Sequence, residues 1–204
     1  TFNKAIGSST KKIGALVVNS MGTTTFKGDV EVGSLETDGG GTAQNKVHIE
    51  TSNITTTGAQ HYGEQVHLTN SMPVTLSGMG VTFDDTLDGA QVLTIQDSGS
   101  TTFAKSVGNG VGNALISLTV NGGGTVHIDG GEVTTTGAQD YQNAVELGAA
   151  MTYLNALGVN FAETVNGSST AAVDLTVNAS VGSTPASLGN ATFNKAIGSS
   201  TKKI

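Results

Sequence analysis

The chain has no cysteine, no tryptophan and only two prolines in 204 residues. It also has no arginine. Each absence removes a class of architecture or activity. Without Cys there is no disulfide framework and no thiolate-bound zinc. All nine basic residues are Lys, set against sixteen Asp and Glu, so the formal charge is −7. The guanidinium fork suited to bidentate phosphate recognition is missing. An acidic chain with 4% aromatics is poorly suited to nucleic acid, and none is expected as a partner. No apolar run approaches the ~18 residues of a membrane-spanning helix, so no membrane span is expected in this segment. Charged residues are 12% of the chain, and with so few rings a thick core is excluded.

Small β-formers and glycine take up the room. There are 30 Thr and 29 Gly, with 36% hydrophobic residues. That hydrophobic share and β-propensity exclude long disorder. The composition suits thin layers of Val, Ile, Leu and Ala with Gly at corners.

The arrangement is repetitive at three levels. Residues 1–13 and residues 192–204 both read TFNKAIGSSTKKI, an offset of 191. The chain therefore reads as one tandem period plus a 13-residue overlap, with neighbouring copies end to end as partners. Discounting Lys195, Lys202 and Lys203 of the overlap takes the charge from −7 to −10 per period. Within the period, KVHIETSNITTTGAQHYGEQVHL (46–68) matches TVHIDGGEVTTTGAQDYQNAVEL (125–147) at an offset of 79. VTFDDTLDG (81–89) pairs with VNFAETVNG (159–167), and TTFKGDVEVG (24–33) with TTFAKSVGNG (101–110). Half-repeats are expected at approximately 23–100 and 101–178, all within one continuous slice, 1–204. A third spacing, of about 20 residues, separates Tyr62, Phe83 and Phe103, and again Tyr141 and Phe161, as one coil of a solenoid would. Gaps of 36 (Phe26 to Tyr62) and 38 (Phe103 to Tyr141) read as two coils.

Short runs such as LVVN (16–19), LTIQ (93–96) and LTVN (118–121 and 175–178) read as strands, and V-x-L segments alternate inward and outward residues. DGGG (38–41), NGGG (121–124), DGG (129–131) and NGS (166–168) read as turns. The predicted fold is all-β: a parallel β-helix with coils of about 20 residues. Nine such coils would make roughly 45 Å of rod per period. Phe26, Tyr62, Phe83, Phe103, Tyr141, Phe161 and Phe193 should occupy related positions on successive coils. Residues 192–204 should superpose on 1–13 by a shift along the axis. The alternative fold is a string of β-sandwich domains, whose turns recur about every 8–12 residues.

The segments T-T-T-G-A-Q-x-Y, V-x-L, V-[TN]-F and L-T-V-N-G-G-G resemble the β-strand repeats of giant bacterial surface proteins of the filamentous-haemagglutinin-like adhesin class. The resemblance covers nearly the whole chain and implies that the β-helix is a right-handed parallel β-helix, with secretion, a bacterial cell-surface location, and attachment to cell-surface or matrix glycans or proteins. It supplies no catalytic residues.

The candidate sites are few. Asp84, Asp85 and Asp88 form the tightest acidic cluster, readable as a calcium site, as a pair of acid/base carboxylates or as a solvated turn. The aligned copy reads Ala162, Glu163 and Asn166, which favours the turn. Calcium is the one cofactor considered, and otherwise none is implied. The Gly-Asp segments ETDGGG and HIDGGE lack the nonapeptide calcium repeat. His48 and His127 stand at equivalent outward positions, with His61 and His67 nearby. Zinc would need three or four converging ligands, yet His61 and His67 align with Asp140 and Glu146. Thr23/Thr25, Thr55/Thr57 and Thr134/Thr136 form T-x-T pairs that do not recur every coil. No nucleophile, phosphate-loop or metalloprotease motif is present. The reading is a non-catalytic structural or adhesive segment of an extended rod, with a self-assembling fibre or sheath as alternative and a carbohydrate-active β-helix enzyme as a third reading.

Overall fold

The computed structural model describes all residues except 39–45, 110–111, 170, 181–188 and 200–203. It is a parallel β-solenoid. Among the described residues every strand pairing is parallel and no helix occurs, which excludes the β-sandwich alternative.

Each coil has three strand positions, here faces A, B and C. Face A runs through Thr24–Phe26, Lys46–Ile49, Gln65–Leu68, Leu87–Asp88, a bridge at Val107, Glu132–Thr134, Met151–Ala156 and Asp174–Ala179. Face B runs through Ile6–Gly7, the start of Val30–Asp38, Asn53–Thr56, Val74–Gly78, Val92–Asp97, Ser117–Asn121, Ala138–Tyr141, Gly158–Phe161 and Ala191–Phe193. Face C runs through Ile13–Asn19, the end of Val30–Asp38, Gln60–Tyr62, Val81–Phe83, Thr101–Phe103, Thr125–Ile128, Ala144–Leu147 and Val165–Gly167. The NGS segment thus lies at the end of a strand, where turn composition alone suggested otherwise. The hydrogen-bond ladder to the preceding coil outweighs a local Asn-Gly preference there. Residues 39–41 of the DGGG segment lie outside the described residues.

Alternation decides what is buried. Val66 and Leu68, Val145 and Leu147, and Leu118 and Val120 all point inward and are buried, as the V-x-L and L-T-V patterns predict. In-register stacking turns them into columns. Val47, Val66, Leu87, Val107, Val133 and Leu154 succeed one another on face A. Burying each such side chain contributes about 1.5–3 kcal/mol before the entropy of ordering the chain is set against it.

The aromatics also stack, but not in one column. Tyr62, Phe83 and Phe103 are parallel rings on face C, with centroids 5.1 and 5.6 Å apart. Tyr141, Phe161 and Phe193 form a separate stack on face B, at 5.3 and 4.9 Å. Phe2 and Phe26 form a third on face A, at 5.4 Å. The expectation of one related position for all seven is therefore corrected. The gaps from Phe26 to Tyr62 and from Phe103 to Tyr141 each span one coil and two further faces, not two coils.

The same geometry explains the half-repeats. Tyr62 on face C and Tyr141 on face B are separated by three coils and two faces, as are Phe26 on face A and Phe103 on face C. Each half-repeat therefore sits on a different face from its twin. Coil length varies between equivalent positions. The coil from Lys46 to its partner Gln65 is short, and the coil from Val107 to its partner Val133 is long. Corner loops absorb the difference. The corner between faces B and C is lined by glycine because successive backbones nearly touch. A Cβ at Gly33 would collide with the Gly14 carbonyl, and one at Gly124 with that of Gly99.

A cavity left by Leu147→Ala should cost about 2–4 kcal/mol and stay local, because each coil touches only its neighbours. Outward-facing Glu146→Ala should cost within about 0.5 kcal/mol. Amide hydrogen exchange should show protection lost only in coils next to Leu147 in the first variant. Equal losses in both would mean the strand faces are assigned wrongly.

Candidate functional site

The three carboxylates of the acidic cluster do not face a common point. Asp84 Oδ2 lies 2.7 Å from His61 Nε2, across one coil. Asp88 is buried, accepts a hydrogen bond from Gln65 Nε2 at 3.0 Å and pairs with the ring of His67. Asp85 accepts from the amide of Thr86. Among the described residues no group of three or more His, Asp or Glu is arranged to hold a metal ion. Asp84, Asp85 and Asp88 thus serve separate partners, two of them histidines of the preceding coil.

The histidines follow the same register. His48 and His67 are paired on the outer side of face A, ring centroids 5.6 Å apart, with Asp88 next in the column. His127 lies 3.8 Å from Glu146 on face C. Burial is the main cause holding the His48 imidazole below its ordinary value. His67 and Lys46 push the same way, while Glu50 and Asp88 oppose.

The T-T-T-G-A-Q-x-Y motif is explained by a polar staple inside the rod. Gln60 and Gln139 are buried, which no backbone ladder alone would tolerate. Gln60 Nε2 donates to the carbonyls of Ile54 (3.2 Å) and Ser77 (2.8 Å), and its Oε1 accepts the Tyr62 hydroxyl at 2.9 Å. Gln139 repeats this with Val133 (2.9 Å), Asn155 (3.1 Å) and the Tyr141 hydroxyl (3.0 Å). Thr56 and Thr135 close the corner by donating to the carbonyls of Gly58 and Gly137. Burial pushes both phenols well above the usual tyrosine range.

Asp97 is a second internal staple. Its buried carboxylate accepts from the amides of Gly80, Val81 and Gly99 and from the Thr101 hydroxyl, at 2.6–3.0 Å. Sequence reasoning passed over it. The D-S-G-S that follows the LTIQ strand is its one local signal, since two of its partners lie 16 and 17 residues upstream.

The expected T-x-T pairs fall on different faces, with Thr55 on face B and Thr134 on face A. A threonine row does exist, formed by Thr75, Thr94 and Thr119 in register on the outer side of face B. Its two intervals are unequal, which hides it from any search for a fixed period.

A cavity of about 250 Å³ at the first coils is lined by Ser8, Lys12, Ile13, Gly14, Glu31, Val32, Gly33 and Thr57. It brings together one lysine and one carboxylate and no nucleophile–base pair. No helix of the described residues is long and apolar enough to cross a membrane. No family model, curated protein or solved structure matches this chain.

Two substitutions test this account. Tyr141→Phe strands Gln139 Oε1 in a buried site and should cost about 1–3 kcal/mol by urea denaturation. Tyr153→Phe, on the half-exposed tyrosine, should cost within about 0.5 kcal/mol. Equal costs would mean the Gln–Tyr pair is not a staple. The His48 prediction concerns pH. A lowered value means the fold prefers the neutral ring. That contribution is therefore complete above the ordinary 6.5 and declines as pH falls below it. The stability difference between the parent and His48→Gln should shift against the parent between about pH 7.5 and about pH 5.5 in urea midpoints. A pH-independent difference would refute it.

Proposed function

We propose that the chain is a non-catalytic structural repeat segment of an extended rod, carried by a secreted bacterial surface protein whose rod presents an adhesive surface. The observation that carries this reading is the unbroken parallel ladder from Phe2 to Ile197, in a chain whose first and last thirteen residues are the same. A stack of this kind grows along one axis without a change of architecture. The outward rows supply the contact surface. Thr75, Thr94 and Thr119 lie on face B, and Asn155 and Asn178 are hydrogen-bonded in a row on face A. The carboxylates of the acidic cluster are held by separate partners within the rod, which supports a structural role for them. The net charge of −7 favours single rods over bundles, because copies of the chain repel one another.

Electron micrographs of chains with increasing numbers of consecutive periods test the proposal. Rods should lengthen by about 40 Å per period, from ~4.8 Å per coil. Lateral bundles would favour the fibre or sheath alternative. Globular beads on a string would refute the rod.

A further inference from the structure

The segment shared by the two ends is seen twice, with different neighbours. At the start it is seen with the coil that follows. Phe2 bridges Phe26, and Ile6–Gly7 pairs with Val30–Glu31. At the end it is seen with the coil that precedes. Phe193 pairs with Phe161, and Ile197 bridges Val165. Phe2 stands on face A and its equivalent Phe193 on face B. Ile6 stands on face B and its equivalent Ile197 on face C. Between equivalents the ladder passes eight complete coils of three faces and one face more.

The half-covered apolar residues are gathered at the same two ends. Phe2, Ile6, Leu16 and Val18 lie in the first coil, and Leu175, Val177 and Phe193 in the last. Ile197 is 48% exposed, whereas Val30, which covers its equivalent Ile6, is 1% exposed. The ends are thus unfinished in complementary ways.

We infer that the two ends form one interface with a second copy of this sequence, and that each copy is turned by one face relative to the copy before it. The inference rests on the rod reading above and specifies its joint. Overlaying the two views of the shared segment gives the contacts. Phe26 of the following copy stacks on Phe193, extending the Tyr141–Phe161–Phe193 stack to four rings. Val30 of the following copy covers Ile197. Its Leu16 and Val18 fall on face A, which carries Leu175 and Val177. This corrects the expectation that the shared segment repeats by a simple axial shift. The shift is a screw, because eight coils and one face are not a whole number of turns. Any outward group recurs on the next face after about 40 Å of rod and returns to its starting face after three copies, about 120 Å. The rod therefore displays each surface feature on all three faces.

The test uses the full chain with its consecutive periods and Gln96→Cys in each period, an exposed position on face B in a chain with no other thiol. Maleimide-gold on these thiols is located on single rods by electron cryotomography. Labels stepping to the next face every ~40 Å, and realigning every ~120 Å, are expected. Labels ~40 Å apart along one side would overturn the screw while leaving the rod intact. Labels at irregular spacing on separate globules would refute the rod itself. Layer lines from unsubstituted rods give an independent readout. A ~120 Å axial repeat supports the screw and a ~40 Å repeat alone overturns it, whether or not the labelled variant assembles.

Discussion

In-register parallel stacking is the constraint from which the rest of the structure follows. Backbone hydrogen bonds tie each coil to the next on three faces, and successive strands lie about 4.8 Å apart. At that spacing an inward side chain must tolerate what stands directly above and below it. Branched aliphatics on branched aliphatics satisfy this, as in the column from Val47 to Leu154. Inward rings satisfy it by lying flat on another ring on at least one side, and all five ring pairs within the phenylalanine and tyrosine stacks are near-parallel, tilted by 8–16°. The scarcity of aromatics and the lack of tryptophan are consequences of that geometry. A wide ring is matched by a ring on one side, and an aliphatic such as Ile49 or Ile128 can cover the other.

The same stacking creates a difficulty at the corners, where the chain leaves one sheet before entering the next. Backbone carbonyls and amides there point inward, and a buried polar group left unpaired is costly. Two Gln–Tyr pairs and Asp97 meet this need. Each Gln binds one carbonyl from its own coil and one from the next, so it joins coils as well as filling a corner. The TTTGAQ-x-Y segments are thus repeated for an internal reason. Asp97 achieves a comparable result with four accepted hydrogen bonds and no tyrosine.

Strands and their facing were legible because alternation is a local property, visible in V-x-L and L-T-V. What lies beside what was less legible, because it depends on corner lengths. A longer corner, as between Val107 and Val133, lengthens the interval between stacked positions without disturbing the ladder. That variation concealed the Thr75–Thr94–Thr119 row, and a change of face made the gaps before Tyr62 and Tyr141 look like two coils. The partners of the acidic cluster were hidden for a related reason. Asp84 and Asp88 are close in sequence, but their partners His61 and His67 lie 23 and 21 residues away, in the preceding coil. In a solenoid the chemical neighbourhood of a residue is set one coil away, and local clustering of like residues says little about it.

That half-repeats occupy different faces bears on how such a rod is built. The V-H-I strand is on face A at Val47 and on face C at Val126, and both valines are buried. A motif can change face only if the three faces make the same physical demands. They do: each alternates inward and outward positions, the inward ones mostly apolar, and ends in a corner that returns the chain to the stack. Duplication therefore need not preserve a whole number of coils. A duplication that did would line up its charged residues on one side. This chain instead places the outward His48 and its equivalent His127 on different faces. The carboxylates that follow these two strands, Glu50 and Asp129, are carried to different parts of the rod with them, which reduces the repulsion that an acidic, arginine-free sequence would otherwise concentrate along one edge.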